Sequence, residues 1–491
     1  MTGTVMRTSF STLFAAALLL AGTASAEAPI RFEASGRDTI GGAQLGWRSV
    51  VEETQLDGAS IFTTSYLKAG KPDPERPVIF AFNGGPGSSS IWLHLGLLAL
   101  DRVDMDDADA PRTAAPFRML PNPDSPLDVA DIVLIDPPGT GYSRILPGGK
   151  PENYLGVAQD ARATAQIIRD WLRRNGRTNA PKYLLSESYG TIRAAAVAKL
   201  LAGGPTETGA MDGVSLNGVI LLGQAMDMAR GAEGDDRPYL ALLPSLAATA
   251  CHFGKGPAGC TPEGQADAAR AFAADGYLKA LYAGAALPAA ERDAVAGQLA
   301  ELTGLPKAEV LAQDLRISAP VFAQKLLAAE GRQIGLYDAR FTLPARALGS
   351  DPVADDPAMG QYVPAFVAGW QRYSHERLNV AMDRDYVAIA FRDVNGRWDW
   401  GRGPGIPPAR NYATDLAVAM ARNPKLRLLV GTGLYDLVTP VGAAEYTVRH
   451  AGIPLEAVRF RTYRSGHMPY LGAAERKALA NDIRAFVKES E

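Results

Sequence analysis

Short apolar runs alternating with helical stretches predict an α/β fold with a mostly parallel central sheet, helices on both faces and a large helical lid insertion. Three observations carry this expectation. Residues 78–82, 132–135, 183–185, 218–223 and 426–430 are short and almost wholly apolar, as strands buried on both faces must be. Most of these runs stop at Gly-, Pro- or Ser-containing stretches, and the intervening segments at 153–174 and 190–201 carry apolar residues at helical spacing. The alternation lapses between Gly223 and Lys425, where Ala-rich helical segments are divided by Gly and Pro, and it then resumes.

From the start of the chain, Arg7 precedes an apolar run at 13–20, and Ala24-Ser25-Ala26 has the small-x-small form of a cleavage site. Residues 1–26 therefore read as a signal peptide. The run is too short to span a bilayer, so the expected product is exported, periplasmic or secreted, with no membrane span retained. Residues 31–34, 45–53 and 61–66 read as strands of an antiparallel meander, with Gly41-Gly42 and Asp57-Gly58 as turns. The N-terminal part of the core then spans 27–230, a lid region 231–424, and the C-terminal part of the core 425–491. Helices are expected within the lid at 262–274, 288–302 and 306–313. The closing helix turns Leu479, Ile483 and Phe486 inward.

With 491 residues and 47% hydrophobic composition, the chain can bury a large core. Lys+Arg 50 against Asp+Glu 53 leaves no basic run to follow phosphates, which argues against a nucleic-acid partner. Cys251 and Cys260 flank a Gly-rich segment and are expected to pair in an oxidising compartment; two buried free thiols are the other reading. No motif with metal-ligand spacing occurs, and no cofactor is expected.

Three loops at strand ends carry chemistry. Asn83-Gly84-Gly85-Pro86-Gly87-Ser88-Ser89-Ser90 offers bare N–H groups for an oxyanion; a phosphate loop would use them too, but its Lys-Ser/Thr ending is absent. Asp136-Pro137-Pro138-Gly139-Thr140-Gly141-Tyr142-Ser143 is a second. Ser188 sits between a strand and a helix, where a tight turn holds its hydroxyl clear of the sheet. A serine needs an imidazole to take its proton and a carboxylate to orient that imidazole. Asp436 and His467 follow later strands, and the order Ser…Asp…His is that of α/β-hydrolases. His450 also follows Asp436, but it ends a predicted helix, whereas His467 lies in a glycine-containing loop.

Asn83-Gly84-Gly85-Pro86-Gly87-Ser88-Ser89, Asp136-Pro137-Pro138-Gly139-Thr140-Gly141-Tyr142-Ser143, Glu187-Ser188-Tyr189-Gly190 and Gly466-His467-Met468-Pro469 together resemble the motifs of the serine carboxypeptidase family, in the family's order. The resemblance implies an α/β-hydrolase fold and removal of C-terminal residues from peptides at acidic pH. It implies Ser188 as nucleophile, His467 as general base and then acid, and Asp436 as its orienting partner. The amides of Gly85 and Tyr189 would form the oxyanion hole. Asn83, Gly84 and Glu187 would bind the terminal carboxylate of the peptide. Ser186 stands where the family has Gly, and Thr191 where it has a smaller residue. An esterase or acyltransferase would use the same acyl-serine chemistry, and a non-catalytic binding module would retain the pocket without the reaction.

Overall fold

The computed structural model describes residues 1–3, 29–107, 112–229, 231, 234–345, 351, 353–403 and 410–489. The signal peptide read at 1–26 falls almost wholly outside the described residues.

Ten strands form one sheet. β1 (Arg31–Ile40), β2 (Ala43–Leu56) and β3 (Ala59–Lys68) make the antiparallel meander, each longer than its most apolar stretch. They are followed by β4 (Val78–Phe82), β5 (Asp131–Ile135), the two-residue β6 (Arg144–Ile145), β7 (Lys182–Glu187), β8 (Gly218–Leu222), β9 (Arg427–Gly433) and β10 (Val458–Tyr463). Across the sheet the order is β1-β2-β3-β5-β4-β7-β8-β9-β10, with β6 beside β3. From β5 to β10 every neighbour is parallel. β4, β5, β7 and β8 are buried along their whole length, which accounts for the unbroken apolar character of β4 and β8 and for the apolar cores of β5 and β7.

The chain leaves β4 toward β5 on one side and returns to β7 on the other. Such a reversal opens a crevice beyond the strand ends, where open α/β sheets hold ligands. Phe82 of β4 pairs with Ser186 of β7, so the loops leaving these two strands emerge side by side.

The longer helices of the fold include α1 (Val157–Arg174), α2 (Gly190–Leu201), α3 (Arg237–His252), α4 (Met359–Glu376), α5 (Ala413–Arg422), α6 (Val441–Arg449) and α7 (Ala473–Lys488). One apolar core joins a face of the sheet to α1, α2, α5 and α6. A second joins the other face to residues 91–100, α4 and α7, with Leu479, Ile483 and Phe486 buried. A third is built largely from α3 and the short helices after it, and it reaches Leu434, Tyr435 and Leu437 at the end of β9. The helices expected within the insertion lie at Pro262–Phe272, Ala289–Thr303 and Lys307–Ala312. The segment after the first glycine-rich loop is one α-helical turn, Ile91–Leu93, continued as a π-helical stretch, His94–Leu98.

Candidate active site

β7 ends at Glu187 and α2 begins at Gly190, so Ser188 and Tyr189 alone make the turn. Ser188 has φ 59, a left-handed conformation that costs a non-glycine residue energy and persists only when its surroundings impose it. They do so here. The Ser188 amide donates to the Leu222 carbonyl at 3.0 Å. Its own carbonyl accepts from the Thr191 amide at 2.8 Å and the Thr191 hydroxyl at 2.7 Å. Thr191 Oγ1 in turn accepts from the Ala225 amide at 3.0 Å, so the larger side chain adds a fastening that glycine could not. Ser186 turns its hydroxyl to the Ile220 carbonyl, 3.4 Å away.

Two glycines let the loop after β4 touch this turn. A Cβ on Gly84 would fall closer than 3.0 Å to the Tyr189 and Gly190 nitrogens, and one on Gly190 would crowd the Asn83 and Phe82 carbonyls. This contact sets Gly84 against the backbone of Tyr189, the residue after Ser188, and Gly85 lines the same cleft as Ser188. Beneath them lies Arg193, fully buried, which donates to the Asn83 carbonyl and, at 2.7 Å, to Asp160. Asp160 also accepts from the Tyr189 hydroxyl at 3.1 Å, and burial raises its pKa despite the guanidinium. The Arg193 guanidinium lies over the rings of Phe82 and Tyr189, so one buried cation ties both loops together.

Asp436 follows β9, with one carboxylate oxygen accepting from the Val438 and Thr439 amides, both at 2.8 Å. Its other oxygen accepts from the Thr439 hydroxyl and lies 2.9 Å from His467 Nδ1. Thr439 Oγ1 is also 3.0 Å from that nitrogen. With Nδ1 engaged, Nε2 is the nitrogen left for the serine. Ser188 and His467 line the same cleft without a hydrogen bond between them, an arrangement common before substrate tightens the contact. Burial pulls the imidazole pKa down, but Asp436, through its charge and its hydrogen bond, together with Glu187 and Asp356 makes the net shift upward. His450 is elsewhere, exposed after α6 and stacked on Tyr446.

Beside Ser188 the Asn83 side chain donates to Glu187 Oε1 at 2.7 Å. The Leu93 amide donates to Asn83 Oδ1 at 3.0 Å, which fixes the side-chain amide with its NH2 toward Glu187. Glu187 Oε2 is buried without a hydrogen-bond partner. Burial pushes this carboxyl up to about 7, against the pull of His467 and Tyr470, with Asp436 adding to the rise and Asn83 opposing it. The cleft, of about 80 Å³, is otherwise apolar and aromatic, with Trp92, Tyr337, Met359, Tyr362, Phe391 and Met468 among its walls. Larger grooves, such as one of about 950 Å³ beside Trp47 and Arg76, contain none of the candidate site residues.

Comparison with known proteins finds likenesses in part of the sequence and in the fold. Residues 54–233, which include the Asn83 loop and Ser188, match the family model described as serine carboxypeptidase. That match covers little more than a third of the chain, and it includes two of the loops that meet at the site. Among solved structures it is similar to KEX1(delta)p, a prohormone-processing carboxypeptidase from Saccharomyces cerevisiae, with 12% identity, 88% of this chain and 87% of that one covered, and a TM-score of 0.54. It is also similar to a proline iminopeptidase from Mycobacterium smegmatis, with 15% identity, coverage of 90% and 100%, and a TM-score of 0.38. No curated protein matches it in sequence. The fold is that of the α/β-hydrolases.

Several site residues escaped sequence reasoning. Thr439 had a local signal, since an Asp followed three residues later by Thr just before a helix often forms a side-chain-to-backbone turn. Asp160 and Arg193 had a weaker one, a charge on the buried side of each of two apolar helices. Tyr337 and Met359, both from the long insertion, had none. Cys251, at the end of α3, is bonded to Cys260, with an S–S distance of 2.02 Å.

Proposed function

We propose that the protein is an exported serine carboxypeptidase that removes C-terminal residues through an acyl-serine intermediate, favoured at acidic pH. In this reading Ser188 Oγ attacks the scissile carbonyl while His467 Nε2 takes its proton, and Asp436 holds the resulting imidazolium. The Gly85 and Tyr189 amides receive the oxyanion. As the tetrahedral intermediate collapses, the C–N bond breaks, His467 returns the proton to the leaving amine, and the peptide remains esterified to Ser188. Water, deprotonated by His467, then attacks the ester, and Ser188 recovers its proton.

The observation that carries the reading is the Asn83–Glu187 hydrogen bond in the same cleft as Ser188 and His467. A protonated Glu187 can donate to a substrate carboxylate, whereas an ionised one repels it. Binding should therefore weaken as pH rises through about 7. Protonating Glu187 also removes one of the charges that hold His467 basic, so the imidazole can stay neutral to lower pH. A blocked dipeptide with a free C-terminus should be cleaved, and its C-terminal amide left nearly untouched. Equal rates on the two would remove the exopeptidase reading.

Export is supported by the leader pattern before Glu27 and by the Cys251–Cys260 bond, which suits an oxidising compartment. Among the described residues no helix is long and apolar enough to cross a membrane. N-terminal sequencing of the protein isolated from its native cells should begin at Glu27; a retained Met1 would count against export.

A further inference from the structure

We infer that the Asp338–Arg340 pair, carried by the insertion, is a positioning device that clamps the His467 loop against the Asp436 loop. The inference rests on the assignment of these two residues to catalysis. Residues 336–340 lie between the two loops and bond to both. On one side the Ala339 amide donates to the Tyr435 carbonyl at 3.0 Å, and the Leu437 amide donates to the Leu336 carbonyl at 3.0 Å, so both neighbours of Asp436 are held. On the other side the His467 amide donates to the Tyr337 carbonyl at 2.6 Å, and the Gly466 amide to Asp338 Oδ2 at 3.1 Å. Arg340 brackets the same loop from its ends, donating to the Arg464 carbonyl at 2.8 Å and the Leu471 carbonyl at 3.4 Å.

The clamp is built to be rigid. Asp338 and Arg340 are paired at 2.6 Å with side-chain exposures of 2% and 7%, so solvent cannot substitute for either partner. The Arg340 guanidinium also lies over the Tyr435 ring. A Cβ on Gly466 would overlap Asp338 and the Tyr337 carbonyl, which shows how closely the two backbones approach. The Tyr337 ring meets the His467 ring edge to face, with centroids 5.3 Å apart. A lid that merely covered a pocket would need none of these bonds. Because general-base catalysis fails when reacting groups are misplaced by about 1 Å, loosening the clamp should act on the chemical step and leave substrate binding nearly intact.

The test compares Asp338→Ala, Asp338→Asn and the double variant Asp338→Asn/Arg340→Met with the parent and with Arg372→Ala, a control that breaks the exposed Arg372–Glu376 pair on α4, using a blocked dipeptide with a free C-terminus. The double variant removes both charges together and so leaves no orphaned ion in the interior. Expected results are a kcat about 100-fold lower for Asp338→Ala, with KM changed less than about 3-fold, and partial recovery in Asp338→Asn, whose amide oxygen can still accept from Gly466. The deshielded proton NMR resonance of the His467–Asp436 bond should be lost or broadened in the double variant. A folded double variant with parental kcat and an unchanged resonance overturns the inference. If the variants do not fold, amide hydrogen exchange in the unaltered protein decides: the Gly466, His467, Ala339 and Leu437 amides should be protected together, and fast exchange at Gly466 and His467 overturns it. An organophosphonate that fails to label Ser188 in the parent protein would instead sink the catalytic assignment.

Discussion

Two side chains beside the proposed catalytic groups set how the site should respond to pH. Glu187 titrates near 7 because it is buried, so peptide acids should bind best below that value. Replacing it with Gln keeps an oxygen for the Asn83 amide and removes the titration. Glu187→Gln should flatten the rise of KM between about pH 6 and 8 while the parent shows it, as steady-state kinetics on one peptide acid can measure. Thr439 acts on the other group. Its hydroxyl donates to the Asp436 oxygen that faces His467, and Thr439→Val would leave that carboxylate with a stronger hold on the imidazole proton. The His467 pKa, already raised, should rise further, moving the acid limb of the kcat profile to higher pH with a plateau loss of about 10-fold or less. An acid limb that moves to lower pH would show that Thr439 supports the imidazolium instead.

At the scale of elements, what holds the site together is how closely two loops can approach. Gly84 presses on the backbone of the serine turn, so Gly84→Ala has no flexible neighbour to displace. It should cost about 1–3 kcal/mol of stability and, by pulling the Gly85 amide away, about 100-fold in kcat. Gly297 is the counter-case, because a Cβ there meets nothing and the residue lies within the helix Ala289–Thr303. Gly297→Ala should raise stability by about 0.5–1 kcal/mol and leave kcat unchanged. Thermal unfolding and peptide hydrolysis on the same preparations separate the two. β4, which bears the first of these loops, and β8, beside the strand that bears the second, were legible in the sequence because a strand buried on both faces is apolar without interruption, as 78–82 and 218–222 are. The serine turn was legible because few residue types tolerate it. Residues 336–340 were not, since their role comes from contacts with segments about a hundred residues further on and leaves no periodicity in Leu336-Tyr337-Asp338-Ala339-Arg340. The His94–Leu98 stretch escaped for a related reason: a single π-helical turn buried on every side leaves no period to read.

Over the whole molecule, the cleft gathers walls from stretches far apart in the chain. Asn83 and Ser188 come from the sheet's central loops, Tyr337, Met359 and Tyr362 from the insertion, and Ile389 and Phe391 from a segment bridged to the first glycine-rich loop through Ser88 and Ile389. Beyond Glu187 and His467 the lining carries no charge, so a substrate side chain entering it must shed water without finding an ionic partner. About 80 Å³ suits one side chain of moderate size. Peptides ending in Leu or Met should therefore be cleaved with kcat/KM at least about 10-fold above those ending in Lys or Asp, since desolvating an unpaired charge costs well over 1.4 kcal/mol. Met359 is 7% exposed and borders this space, and Met359→Asp would place a carboxylate where a terminal Lys could pair with it. Competition between Leu- and Lys-ending peptides, read by mass spectrometry, should shift toward Lys in that variant. If the parent already favours Lys, the cleft is not the pocket that selects the residue being removed, and selection must lie on the peptide side of the scissile bond.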